Sequence, residues 1–195
     1  MNSRAKALYN ELIKIMTPDT VFACIGAAKT TSYIDSIGPQ VGDRLVAAGL
    51  PYVYGTHKKP YNGLTAETMA ARIKRKHKNN LVIAIDTCTT RSDDKLLKID
   101  FVKGSIAPGA GLDRKLPRIG DYSIKAYMLK EGDTDIILNS SLLTSGRCDF
   151  YVNEVNDIID IISSAIIEAY KYVNSKTIRE ILPDNTNNRN VSKLL

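Results

Sequence analysis

The 195-residue chain carries 27 Lys and Arg against 21 Asp and Glu, for a formal net charge of +6, and is 44% hydrophobic and 25% charged. These values are those of an ordinary soluble globular protein with one well-cored domain, and they name no activity. No apolar run approaches the roughly 18 residues that span a bilayer, and the start Met1-Asn2-Ser3-Arg4-Ala5-Lys6 lacks the apolar core of a signal peptide, so no membrane association and a cytoplasmic location are expected.

In chain order, Leu8, Leu12, Ile13 and Met16 recur at helical spacing after Ser3 and predict an N-terminal amphipathic helix that Thr17-Pro18-Asp19 stops. Residues 20–25 read as a short apolar strand and 26–36 as a loop. Residues 39–48 read as a helix with Pro39 in its first turn and Gly49 at its close. A second strand over 51–54 leads into a loop, 55–63, that carries His57 among Lys58, Lys59 and Pro60, and a third helix covers 66–77. Residues 81–85 are the most continuously apolar strand, as expected in the middle of a parallel sheet covered on both faces. The next strand is 97–102.

Gly104, Pro108, Gly109, Gly111, Pro117 and Gly120 are too many breakers for a helix, so 104–120 reads as a structured loop offering backbone donors. Residues 122–129 alternate as a strand, and 134–143 fit strand or helix. Val155, Ile158, Ile159, Ile162, Ile166 and Tyr170 mark a long amphipathic helix over 152–172. The alternation of strand and helix predicts an α/β fold over residues 1–173, a three-layer α/β/α sandwich with a mainly parallel central sheet of the phosphorylase/hydrolase-like kind. Residues 174–195, with Asn185, Asn187, Asn188 and Asn190 around Arg189, form a polar C-terminal extension.

Cys24, Cys88 and Cys148 are an odd number without CxxC or zinc-ligand spacing, which fits free thiols that fill a sheet layer. The basic run Arg72-Ile73-Lys74-Arg75-Lys76-His77-Lys78 would suit an acidic or nucleic-acid partner, as would Arg114, Lys115 and Arg118. That run closes a predicted helix, where cations complement the dipole, and no aromatic residues are interleaved for base stacking. Nucleic acid is thus a secondary partner reading, with steep salt dependence as its mark.

Two carboxylates stand out. Asp35 follows the first predicted strand, and Asp86 follows 81–85 directly, so both fall where an open α/β sheet presents its ligand-binding edge. Asp35 also reads as a cap or turn residue ahead of the Pro39 helix, and Asp86 as a strand-end acceptor for the next loop. Held together, two carboxyls cannot both ionise cheaply: one keeps a proton while the other acts as base toward water, a pair fit to hydrolyse an amide.

The motifs Asp35-Ser36-Ile37-Gly38-Pro39, Tyr54-Gly55-Thr56, Ala84-Ile85-Asp86, Lys103-Gly104 with Pro108-Gly109-Ala110-Gly111, and Leu116-Pro117 with Ile119-Gly120-Asp121 occur in the order of a known family. Over residues 20–170 the chain resembles the YyaC-type sporulation proteins, a group similar to the germination protease of spore-forming bacteria and more distantly to the hydrogenase maturation endopeptidases. The resemblance implies an aspartic-type endopeptidase linked to sporulation, with a cytoplasmic or forespore location. Its catalytic residues would be Asp35 and Asp86, and its protein or peptide substrate would belong to the class of small acid-soluble spore proteins. Gly109, Ala110 and Gly111 leave backbone amides open to bind substrate or an oxyanion. The hydrogenase enzymes use a histidine beside their acids, and 104–120 holds none, so neither metal nor cofactor is expected, and His57 reads as an ordinary loop residue. The alternative on the same fold is a non-catalytic regulatory protein that binds a peptide or partner between the two aspartates.

Overall fold

A computed structural model describes residues 1–27, 32–108, 116–132 and 149–181. The first helix, α1 (Ser3–Leu12), is capped by the Asn2 side chain, which accepts from the Ala5 N–H, and it buries Ala5, Leu8 and Leu12. Strand β1 (Val21–Cys24) is buried on both faces. A short 3-10 turn, Ile34–Ser36, runs directly into α2 (Ile37–Ala47), which starts two residues ahead of the expected Pro39 helix. Then come β2 (Val53–Tyr54), α3 (Ala66–Lys76), β3 (Val82–Thr90), β4 (Ile99–Lys103), β5 (Tyr122–Lys130) and α4 (Asp149–Ile181).

The five strands form one sheet in the order β2-β1-β3-β5-β4. The β1–β2, β1–β3 and β3–β5 pairs are parallel, and β4 closes one border antiparallel to β5. Alternation of side chains along the strands sorts the core into two layers. On one face Phe22, Cys24, Ile83, Ile85, Ile124 and Met128 pack with Leu8 and Leu12 of α1, Ile37, Val41 and Leu45 of α2, and Val155 to Val173 of α4. On the other, Val21, Ala23, Ile25, Val82 and Ala84 meet Ala66 and Ile73 of α3, with Tyr61, Ile106 and Ile119. This is the expected three-layer α/β/α arrangement.

Two elements exceed their predicted lengths. β3 does not stop at Ile85 but continues to Thr90, because β5 keeps pairing with it after β1 has ended. Asp86 is therefore a residue within a strand rather than one just beyond it. Helix α4 runs on to Ile181, past the point where the sequence turns polar. No helix among the described residues is long and apolar enough to cross a membrane. The 134–143 segment, Cys148 and residues 182–195 lie outside the described residues.

Candidate active site at the carboxyl edge of the sheet

The chain leaves β1 toward β2 on one side through α2 and returns through α3 to β3 on the other. The carboxyl ends of β1 and β3 therefore flank a topological switch point, the place where open α/β sheets hold ligands. The last β1–β3 register pair is Cys24–Ile85, so Asp86 is the first β3 residue beyond the paired end of β1.

Glycines permit the close packing that builds this corner. A Cβ on Gly38 of α2 would lie 1.9 Å from the Ile25 carbonyl oxygen, so only glycine lets the helix start rest on the strand end. At Gly55, with φ +97°, a Cβ would lie 1.8 Å from the Cys24 carbonyl oxygen. Asp35 is thereby brought back over β1: its backbone carbonyl accepts from Ala27 N at 3.0 Å and its Oδ2 accepts from the same N–H at 3.1 Å. The Ser32 hydroxyl accepts from Asp35 N at 3.2 Å, and Thr87 Oγ1 donates to the Ile34 carbonyl at 3.0 Å, tying the loop to β3. Neither Asp35 nor Ser36 caps α2 through its side chain.

The two carboxyls differ in environment. Asp35 is partly exposed; burial pushes its carboxyl up to about 6, against the Ala27 N–H, which pulls it down. Asp86 is only 7% exposed. Burial raises it well above the usual carboxylate range and the Asp35 charge raises it further, while the Thr87 N–H opposes both. No ion pair reaches either group among the described residues. Gly109, Ala110 and Gly111, the expected substrate-binding residues, lie outside the described residues.

Of the other groups at this edge, sequence reasoning had weighed Cys24, Cys88 and His57 but not Tyr61. The hydroxyl of Tyr61 is fully buried, and it too is pushed up to about 12, by burial and then by the Asp86 charge. Cys88, half-buried two residues beyond Asp86, is likewise raised to about 12 by burial and by Asp86 and Asp35, with Lys125 opposing. His57 is held by a partner: Asp43 of α2 accepts from its ring Nδ1 at 2.6 Å and from its backbone N–H at 3.3 Å. Cys24 is fully buried, with its thiol raised by that burial and by Asp43, and is no nucleophile in this state. Among the described residues no three His, Cys, Asp or Glu side chains gather as a metal site would require. The basic run ends α3 as expected, with the Arg72 guanidinium 5.8 Å from the centre of the Tyr54 ring.

The fold and this corner define an α/β/α protein with an acidic pair at a sheet switch point. The family model described as "Protein of unknown function (DUF1256)" matches residues 1–165, and the chain belongs to that family. It is similar to "Uncharacterized protein YyaC" of Bacillus subtilis (strain 168), with 30% identity over 151 residues that span 76% of this chain and 70% of that protein.

Proposed function

We propose that the protein is a peptidase of the germination-protease type that hydrolyses an amide bond of a protein substrate with Asp35 and Asp86. The observation that carries this reading is the convergence of two carboxyls, without cation partners among the described residues, one from the loop after β1 and one from β3, on the same switch point. Their environments divide the labour. Asp35, the more accessible, ionises first, and its charge holds the proton on the more deeply buried Asp86. Asp35 then takes a proton from water as the water oxygen bonds to the substrate carbonyl carbon, while Asp86 gives its proton to the carbonyl oxygen. Collapse of the resulting gem-diol returns a proton to Asp86, and the proton on Asp35 passes to the departing amine nitrogen, which restores both groups. The sporulation setting and the spore-protein substrate class rest on the family resemblance alone.

The 7% exposure of Asp86 favours a second reading, a protein that holds a peptide or partner at this corner without cleaving it. One experiment separates the two. Wild type and Asp86→Asn are incubated with small acid-soluble spore proteins and with a general peptide library, and cleavage is followed by mass spectrometry. Cuts made by the wild type and absent from the variant support the peptidase. No cuts by either across pH, together with retained peptide binding, support the binder.

A further inference from the structure

Only two buried side-chain polar atoms among the described residues have no hydrogen-bond partner, His57 Nε2 and the Tyr61 hydroxyl, and both belong to the loop that follows β2. Tyr61 is the more informative because its backbone is fixed. It forms an isolated parallel bridge with Ile25, its carbonyl accepts from Gly26 N at 2.9 Å, and its ring is wholly buried in the layer that holds Ile25 and Ala84. The next row up from the Cys24–Ile85 pair places Ile25 beside Asp86, where Ile25 N donates to the Ile85 carbonyl at 2.7 Å. Asp86 lies two residues beyond Ala84 on the same strand and so faces the same layer. Tyr61, Ile25 and Asp86 thus form one row across the sheet, with Ile25 between them, so the long side chain of Tyr61 has one intervening strand to cross to reach the carboxyl.

A hydroxyl sealed from water and left without a partner is normally replaced by a phenylalanine ring, which fits the same space without an unsatisfied group. Its presence here calls for a partner that arises in another protonation state. We propose that Tyr61 is a positioning residue of the aspartate pair, its hydroxyl held to donate a hydrogen bond to the Asp86 carboxylate whenever that group has given up its proton. Tyr61 keeps its own proton throughout; only the Asp86 O–H bond breaks and re-forms. The other groups that face Asp86 are Asp35 from the loop after β1, the Thr87 N–H and Cys88 on its own strand, and Lys125, its register neighbour on β5. None of them has a hydroxyl on the Tyr61 side of the row. The catalytic consequence rests on the peptidase reading, but the hydrogen bond itself does not.

The test is an NMR titration of the full chain labelled with carbon-13 at the aspartate carboxyls, in the wild type and in Tyr61→Phe. Loss of the hydroxyl should raise the Asp86 midpoint by about one pH unit, a roughly ten-fold gain in proton affinity, and leave the Asp35 midpoint in place. 3-Fluorotyrosine placed at position 61, a stronger donor in the same space, should lower the Asp86 midpoint, and it keeps the test intact if Tyr61→Phe does not fold. Unchanged Asp86 midpoints in the variants that fold overturn the proposal. Where wild-type cleavage is detected, Tyr61→Phe should lower kcat with little change in KM, and equal kcat would also count against it. Absence of any cleavage bears on the peptidase alone, because the titration reads the hydrogen bond directly.

Discussion

Asp86 and Asp121 belong to the same sheet but to opposite ends of it, and their carboxyls have opposite fates. At the amino end, Asp121 Oδ2 accepts from Val82 N at 2.8 Å, its own N–H donates to the Val82 carbonyl at 2.8 Å, and its carbonyl accepts from Gly104 N at 2.8 Å. Asp121 thus uses one carboxyl oxygen and its backbone to align the start of β5 with the start of β3 and the end of β4. At the carboxyl end Asp86 is buried against another acid, with a neighbouring backbone N–H as its favourable contact. Both aspartates fall in the motifs on which the sequence-based resemblance was read. The contrast shows that residue type and motif do not separate an aspartate bonded into the sheet from one buried beside another acid; the partners of the carboxyl do.

The largest expected effect strikes the scaffold of the carboxyl end. Gly55→Ala should cost about 3–5 kcal/mol, since its Cβ would overlap the Cys24 carbonyl at a left-handed φ. A urea midpoint equal to that of the wild type would show that the corner is not built on this contact. Next, Asp86→Asn should lower cleavage on the order of 10³-fold while making the fold more stable at pH 8. The sign follows from linkage. A carboxyl raised on folding contributes its stability below its unfolded value and loses it as pH rises through the folded one, a loss that asparagine escapes. Melting temperatures of the two proteins should therefore diverge as pH increases; a variant less stable than wild type at pH 8 would place Asp86 with Asp121 as a structural group.

Asp35 gives a narrower window. With its folded value near 6, wild-type stability should fall from about pH 4 through about pH 6, by roughly 2 kcal/mol after allowance for partial exposure. Denaturation of Asp35→Asn across that window should give a flatter profile, and parallel profiles would count against burial of the Asp35 carboxyl. The smallest effect belongs to Asp121→Ala, which should cost about 1 kcal/mol through the lost bond to Val82 and leave the Asp86 titration unmoved. A shift of Asp86 in that variant would dissolve the contrast between the two ends.

The order and type of the described elements were legible because the apolar periodicities of α1 and α4 and the apolar runs of β1 and β3 are strong and glycine and proline break the chain between elements. The end of β3 was not. A carboxylate after five apolar residues reads as a strand end, whereas Asp86 to Thr90 remain in the sheet because β5 supplies a partner on one side after β1 has stopped. Asp35 and Asp86 could be singled out from local context, but Tyr61 and the Asp43–His57 pair could not, since their meetings depend on how α2 settles onto β1 and β2. The spacing of Gly38 and Gly42, one turn apart on a single helix face, was the available signal. A Cβ on Gly42 would lie 1.9 Å from the Gly55 carbonyl oxygen, so that face marks where helix and strand ends touch and hence where loop side chains gather.

The sheet's borders carry one more consequence. β2 offers only Val53 and Tyr54 at one border, and β4 at the other carries Asp100, paired with Lys95 at 2.7 Å, and Lys103. An outside strand finds two residues of ladder on one flank and charged side chains on the other, features that discourage strand-to-strand accretion between molecules. Among the described residues, then, the sheet ends in a two-residue strand on one side and a charged one on the other, borders poorly suited to templating growth from copy to copy.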